Sequence, residues 1–343
     1  MRNIGKRLTA ILLTLLLIVG AAACGQTNGT SAQSLDQMIT QTADALQDAL
    51  QQEEGITTGS PTADWTALVC ALAGKKDEKY LTELEKTMES QYSKRGYLSD
   101  VKATEYHRSA LTVLALGKDP TNITGNGAQI NLVADGTWNF PGGSPGLQGA
   151  NGLIYALLLL DSKNYETPQA DLRKQYIEEL LTYQKDSGAF CIDNSLGGDV
   201  DITAMALQAL APYQEDASVK NTVEQALNWL SAQMTETAGF DNSGTVSAES
   251  SAQVVLALCA LGTDPAEDAE FTKDGQNVLD GLNQYRRKDG MYVHESGDEK
   301  ANIMATYQSL LALEAVQKQR TKQQWIFDFS DHGSAAEEQT EGN

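Results

Sequence analysis

The chain has 343 residues, 41% hydrophobic and 21% charged, with 46 acidic against 25 basic side chains and a formal net charge of −21. That length carries a sizeable core, and the hydrophobic fraction excludes a disordered chain. The acidic balance argues against nucleic acid as a partner, because phosphates repel such a surface, and four cysteines do not make a disulfide scaffold.

The first segment reads as an export address. Arg2, Lys6 and Arg7 form a basic start, and Leu8 to Val19 is an apolar run of signal-peptide length, short for a membrane span. Gly20, Ala21, Ala22 and Ala23 then precede Cys24. Small residues before a cysteine resemble a bacterial lipobox, with Ala21 where such motifs often carry Leu. The resemblance implies cleavage before Cys24, lipidation of its sulfur and attachment to the extracytoplasmic face of the cell membrane. An ordinary signal peptide followed by a chance cysteine is the alternative. Residues 24–34, rich in Gly, Ser, Thr and Asn, are expected to be a flexible tether. Loss of residues 1–23 removes three positive charges and leaves a net charge of −24. Cys70 and Cys259 sit in apolar helical runs, so buried free thiols are expected; with Cys191 the odd count permits one disulfide at most.

From residue 35 onward the chain reads as helix after helix. Amphipathic, charged segments are expected at Leu35–Gln52, Asp77–Tyr92, Gln169–Gln184, Val219–Gln233 and Asp274–Arg287. Small Ala- and Leu-rich helices are expected at Thr62–Ala73, Thr104–Leu116, Gln148–Leu160, Asp199–Ala211, Ser247–Leu261 and Ala301–Ala315. Ile123–Val133, with Gly125 and Gly127, reads as a short or broken sixth member of the charged set. A Gly-aromatic turn recurs before most of the apolar helices: Gly96-Tyr97, Gly136-Thr137-Trp138, Gly188-Ala189-Phe190, Gly239-Phe240 and Gly290-Met291-Tyr292. Gln91, Gln184, Gln233 and Gln284 precede four of these turns. A helix apolar on nearly all sides must be buried on all sides, whereas a helix with one apolar stripe lies outside. Six such pairs must stack to bury their faces, and closure gives an all-α toroid of six inner and six outer helices over residues 35–328. An open solenoid is the rival, and β content is expected to be negligible. Residues 329–343 lack an apolar period and read as a disordered acidic tail.

Here the chain resembles a known group. The turns, followed by Asp199-Val200-Asp201-Ile202-Thr203-Ala204-Met205-Ala206-Leu207-Gln208-Ala209-Leu210, look like the prenyltransferase and squalene-oxidase repeats. Ser247-Ala248-Glu249-Ser250-Ser251-Ala252-Gln253-Val254 looks like another such repeat. These repeats occur in terpenoid cyclases, protein prenyltransferase β subunits and secreted proteins of Gram-positive bacteria. In such toroids the inner helices run parallel and their N-termini gather at one mouth. The resemblance therefore implies a ligand site built from Asp64, Trp65, Glu105, Tyr106, His107, Asn151, Tyr155, Asp199, Asp201, Glu249, Asn302 and Tyr307. The plain alternative is helix capping, since Asp, Asn and Glu near an N-terminus accept backbone N–H bonds.

The family's chemistries do not transfer intact. Asp201 falls on the middle acid of the cyclase motif Asp-X-Asp-Asp-Thr-Ala, but the final acid is Ile202. Asp201 also falls on the prenyltransferase zinc Asp, but Thr203 replaces the Cys and Ala305 the His, so no metal is expected. Asp201 with Glu249 is the best pair for carboxylate catalysis on a glycan. Asp193, Asn194, Asp199 and Asp201 lack the spacing of a calcium loop, and Gly142, Gly143 and Gly146 lack the Lys of a phosphate loop. The glycine cluster fits a mobile loop at the mouth. No cofactor is evident; a corrinoid is suggested only by analogy with the cobalamin carriers of animals, which share this toroid. The expected function is a lipid-anchored, non-catalytic binding module for a small molecule, peptide or glycan. An enzyme using Asp201 as an acid on an isoprenoid or glycan, and a cell-wall or protein-interaction module, are the alternatives.

The address is testable in the producing cell. Metabolic labelling with a fatty acid is expected to mark the wild-type chain, and Cys24→Ala is expected to lose the label and release the protein into the medium.

Overall fold

A computed structural model describes residues 33–52, 56–125 and 128–331. The expected signal peptide, Cys24, most of the expected tether and residues 332–343 lie outside the described residues. Among the described residues twelve α-helices alternate between an inner and an outer ring. The inner set is α2 (Pro61–Leu72), α4 (Ala103–Ala115), α6 (Ala150–Ser162), α8 (Val200–Leu210), α10 (Ala248–Ala260) and α12 (Ile303–Arg320). The outer set is α1 (Leu35–Gln52), α3 (Glu78–Arg95), α5 (Leu132–Gly136), α7 (Leu172–Leu181), α9 (Ala217–Ala232) and α11 (Val278–Asn283). Each inner helix packs on the next, and α12 packs on both α10 and α2, so the ring closes and the solenoid is ruled out.

The composition of the two sets explains their places. Inner helices such as α10, AESSAQVVLALCA, are buried along almost their whole length. Outer helices bury a single stripe, as Val219, Val223, Ala226 and Leu230 do on α9. Outer helices α5, α7, α9 and α11 pack on α4, α6, α8 and α10. The first helix, α1, packs on α12 as well as on α2, and so completes the last pair. Asp36 accepts a 2.6 Å hydrogen bond from Gln317, and the Thr42 hydroxyl donates to the Gly290 carbonyl at 2.9 Å.

The two charged segments with glycine differ from the expected helices. Residues 123–133 open with an antiparallel pair, β1 (Ile123–Gly125) with β2 (Ala128–Ile130), before the five-residue α5. The segment from Asp274 likewise opens in a hairpin, β5 (Thr272–Lys273) with β6 (Gln276–Asn277), and its helix is the six-residue α11. Glycine in each stretch favours a tight turn over a helix. A third pair, β3 (Asp241–Asn242) with β4 (Thr245–Val246), lies before α10.

The packed body reaches Phe329, one residue past the expected boundary. Ile326, Phe327 and Phe329 are buried, and the Phe329 N–H donates to the Ser162 carbonyl at the end of α6. The three described cysteines, Cys70, Cys191 and Cys259, are buried free thiols. Among the described residues no helix is long and apolar enough to cross a membrane.

One interior side chain costs stability. Glu314 on α12 is buried, and both carboxylate oxygens lack a hydrogen-bond partner. Burial pushes its carboxyl well above the usual range, against a weak pull from Lys318. It is therefore neutral in the fold, while the unfolded chain ionises it freely above about pH 4. Native stability falls as pH rises from there. Glu314→Met is expected to raise stability at pH 7 by about 1–3 kcal/mol, with a smaller gain below about pH 4, where the unfolded chain no longer ionises the carboxyl; urea unfolding across pH checks both.

Candidate functional site

The starts of the inner helices are set by a repeated turn. In the turn before α8, the Phe190 N–H donates to the Thr203 hydroxyl at 2.8 Å, and Thr203 donates in turn to the Asp199 carbonyl at 2.6 Å. The turn before α12 repeats this with Tyr292, Thr306 and Asn302, at 2.9 Å and 2.6 Å. Asp199 and Asn302 then cap their helices, accepting from the N–H groups of Ile202 and Ala305. The preceding Gln184 donates to Gly188 and Thr222 carbonyls, so the Gln and Gly-aromatic pattern is a structural staple.

Inside the ring of helix starts lies a cavity of about 350 Å³. Of the residues expected from sequence it contains Trp65, Glu105, Asn151, Tyr155, Asp201 and Tyr307. The others lie outside its wall. Asp199 and Asn302 are caps, as described. His107 is fully buried, with Nε2 at 2.6 Å from the Gly136 carbonyl, and desolvation lowers its pKa to about 4. It is a neutral core residue. Tyr106 is buried too, and its hydroxyl ties the Ser99 turn. Glu249 turns onto His294, Oε2 to Nδ1 at 2.8 Å, and does not line the cavity.

Asp64 acts from behind the wall. Its Oδ2 takes a 2.9 Å bond from Arg108 Nε, and its Oδ1 takes the Tyr80 hydroxyl at 2.5 Å. Arg108 Nη2 donates to the Gly59 carbonyl at 3.0 Å and to Glu105 at 2.9 Å. Its side chain is 7% exposed and lines the cavity, and among the described residues its hydrogen bonds go through Nε and Nη2, not Nη1. A guanidinium gripped on two edges is a fixed donor rather than a mobile charge.

Sequence reading missed Arg108, Gln148, Gln208, Gln253 and Gln308 in the wall. Gln208 donates to Gln253 at 2.9 Å, and Gln253 to Gln308 at 2.8 Å, linking α8, α10 and α12. The floor is Phe327, from the segment after α12, beside Trp65 at 6.4 Å between ring centroids. The glycine loop before α6 carries a one-turn helix, Pro145–Gln148, capped by Ser144, which brings Gln148 to the mouth.

Asp201 is the wall's unusual acid. Its Oδ1 is buried with no hydrogen-bond partner. Desolvation raises its pKa to about 6; Ser250 and Asn242 pull down, and Asp199 and Glu249 push further up. Among the described residues no group of three His, Cys, Asp or Glu side chains is placed to hold a metal ion.

Closed rings of paired helices of this kind are α/α toroids. No family model and no curated protein matches the sequence. Among solved structures, the chain is similar to protein geranylgeranyltransferase-I of Candida albicans, complexed with GGPP, with a TM-score of 0.59 at 13% identity over 84% of this chain and 95% of that one. A protein from Actinoplanes follows, with a TM-score of 0.52 at 15% identity over 83% and 100%. A type II terpene cyclase from Scytonema matches with 0.51 at 13% identity over 83% and 98%. The chain thus has the α/α toroid fold of protein prenyltransferases and type II terpene cyclases.

Asp201 provides a direct check on the site's electrostatics. Its raised pKa means that the native state loses stability as pH rises from about 4, the unfolded value, to about 6. Asp201→Asn is expected to be more stable than wild type by about 1–2 kcal/mol at pH 7, with no gain below about pH 4. Carbon-13 NMR of the carboxyl is expected to titrate near 6.

Proposed function

We propose that the chain is a binding module that captures a small ligand in the mouth of its toroid. The observation that carries this reading is the set of polar atoms that the fold leaves unspent in the cavity wall. Among the described residues Asn151 Oδ1 and Asp201 Oδ1 are buried without partners, and Arg108 spends Nε and Nη2 but not Nη1. Most buried polar groups are satisfied, and an orphan costs about 1–3 kcal/mol. Several orphans around one concave space, beside Trp65, Tyr155 and Tyr307, support recognition of something that completes them. The cavity's 350 Å³ favours a ligand smaller than a corrinoid. We further propose that Cys24 carries a lipid and holds the module at the extracytoplasmic face of the cell membrane.

A second reading rests on Asp201 alone. An acid with a pKa near 6, facing an aromatic-edged cavity, is a proton donor at mildly acidic pH. On this reading the chain is an enzyme that protonates a leaving group or an alkene. The carboxylate sharing the cavity with Asp201 is Glu105, bound to Arg108, rather than Glu249.

Native mass spectrometry of the protein from its own host decides between them. Binding predicts a retained, chemically unaltered small molecule, lost in a Trp65→Ala, Asp201→Ala double variant that keeps its helical circular dichroism. Catalysis predicts conversion of that molecule on incubation, with loss of conversion but retained binding in Asp201→Asn. A chain that carries nothing, and captures nothing from a host extract, removes both.

A further inference from the structure

The cavity has two dissimilar walls. One is aromatic: Trp65 stands 5.7 Å from Tyr155 between ring centroids, and Phe327 closes the bottom. The other is a row of linked amides, Gln208, Gln253 and Gln308, whose mutual hydrogen bonds hold their planes in place. Between the walls sit unspent groups of both kinds. Among the described residues Asn151 Oδ1 and Asp201 Oδ1 lack donors, whereas Arg108 Nη1 makes none of that side chain's hydrogen bonds.

We propose that the ligand of this cavity is a saccharide end, one or two sugar rings held between the aromatic and amide walls. The proposal rests on the binding reading above and gives it a ligand class. A hydrocarbon chain would cover the amides and offer them nothing, and each polar group so buried costs free energy. A phosphate or carboxylate only accepts, so it cannot serve Asn151 or an ionised Asp201, and the attraction of Arg108 and Lys102 for it is offset by Asp201 and Glu105. A hydroxyl donates and accepts at once, and a sugar ring carries several at fixed spacing. The ring's C–H face is apolar and slightly positive, which suits the negative face of Trp65. An extended peptide needs an open groove, whereas this cavity ends on Phe327 and so takes the end of a chain. Its 350 Å³ is at the lower end of ligand pockets, in keeping with a short occupant.

The test uses the full exported chain on a glycan microarray spanning bacterial cell-wall, capsular and plant saccharides. Hits are followed by calorimetry with the free mono- or disaccharide. At least one saccharide is expected to bind; Trp65→Ala is expected to weaken it tenfold or more, and Trp65→Phe by less than threefold, both with wild-type circular dichroism. Gln253→Leu, which breaks the amide row without touching the aromatic wall, is expected to weaken the same sugar at least fivefold. Binding of farnesol or a dipeptide in place of any saccharide, lost in Trp65→Ala, overturns the sugar class while leaving the cavity as the binding site. Saccharide binding indifferent to Trp65 and Gln253 overturns the proposal as well. If none of these probes binds, both the sugar class and the binding reading fall.

Discussion

The hydrogen bond from a buried aromatic's N–H to the threonine hydroxyl of the next inner helix governs the rest of the molecule. Phe190 with Thr203 and Tyr292 with Thr306 make it at 2.8 and 2.9 Å. The threonine passes its own proton to the cap carbonyl, so turn, cap and first helical turn form one closed unit. Being buried, such a unit resists opening, because each lost partner leaves an unsatisfied polar group. At α8 and α12 it sets the rotation of the inner helix about its axis. Counting from the caps, the residues that line the cavity stand two, six and nine positions on in α6 (Asn151, Tyr155, Leu158) and α8 (Asp201, Met205, Gln208), and six and nine positions on in α10 (Gln253, Leu256) and α12 (Gln308, Leu311). Rotation of one helix by a single position would replace a wall of the cavity.

The same unit explains what could be read in advance. The alternation of apolar and striped helices, the turn spacing and the sixfold count were all legible, because burial on all sides leaves a composition that no outer helix shares. Ring closure through α1 was not visible as a contact, since nothing local in Leu35–Gln52 marks α12 as its partner. The short hairpins before α5 and α11 were hidden by helix-compatible residues flanking the glycines. At the site, charge drew the eye to the helix starts and so to Glu249, Asn302 and Asp199, two of which are spent on capping. Gln208, Gln253 and Gln308 look like ordinary polar residues in apolar helices. Only the hydrogen bonds that join them across α8, α10 and α12 show that they form one row.

Electrostatics inside the ring differ from those of the whole chain. The exterior carries a large negative excess, yet the wall contains Lys102 and a buried Arg108. Asp64 behind the wall neutralises that arginine without occupying the cavity, and Tyr80 and Gly59 complete the carboxylate. A buried ion pair is weak as a stabiliser but effective at fixing orientation. Desolvation pushes both carboxyls up, but only Asp64 has a cation pulling the other way; Asp201 has none. Two buried carboxyls of one interior thus sit in opposite situations, one committed to a cation and one left with an idle oxygen.

The closure by α1 also decides where the polypeptide enters and leaves. Asp36, at the beginning of α1, touches Gln317, near the end of α12, and Phe329 lies against the end of α6. These are the ends of inner helices farthest from the cavity. The described body therefore begins and ends at the pole opposite the opening. Anything joined to either end, whether an anchor, a fusion or a surface in a biosensor, would work as a handle on the back of a cup, leaving the brim clear.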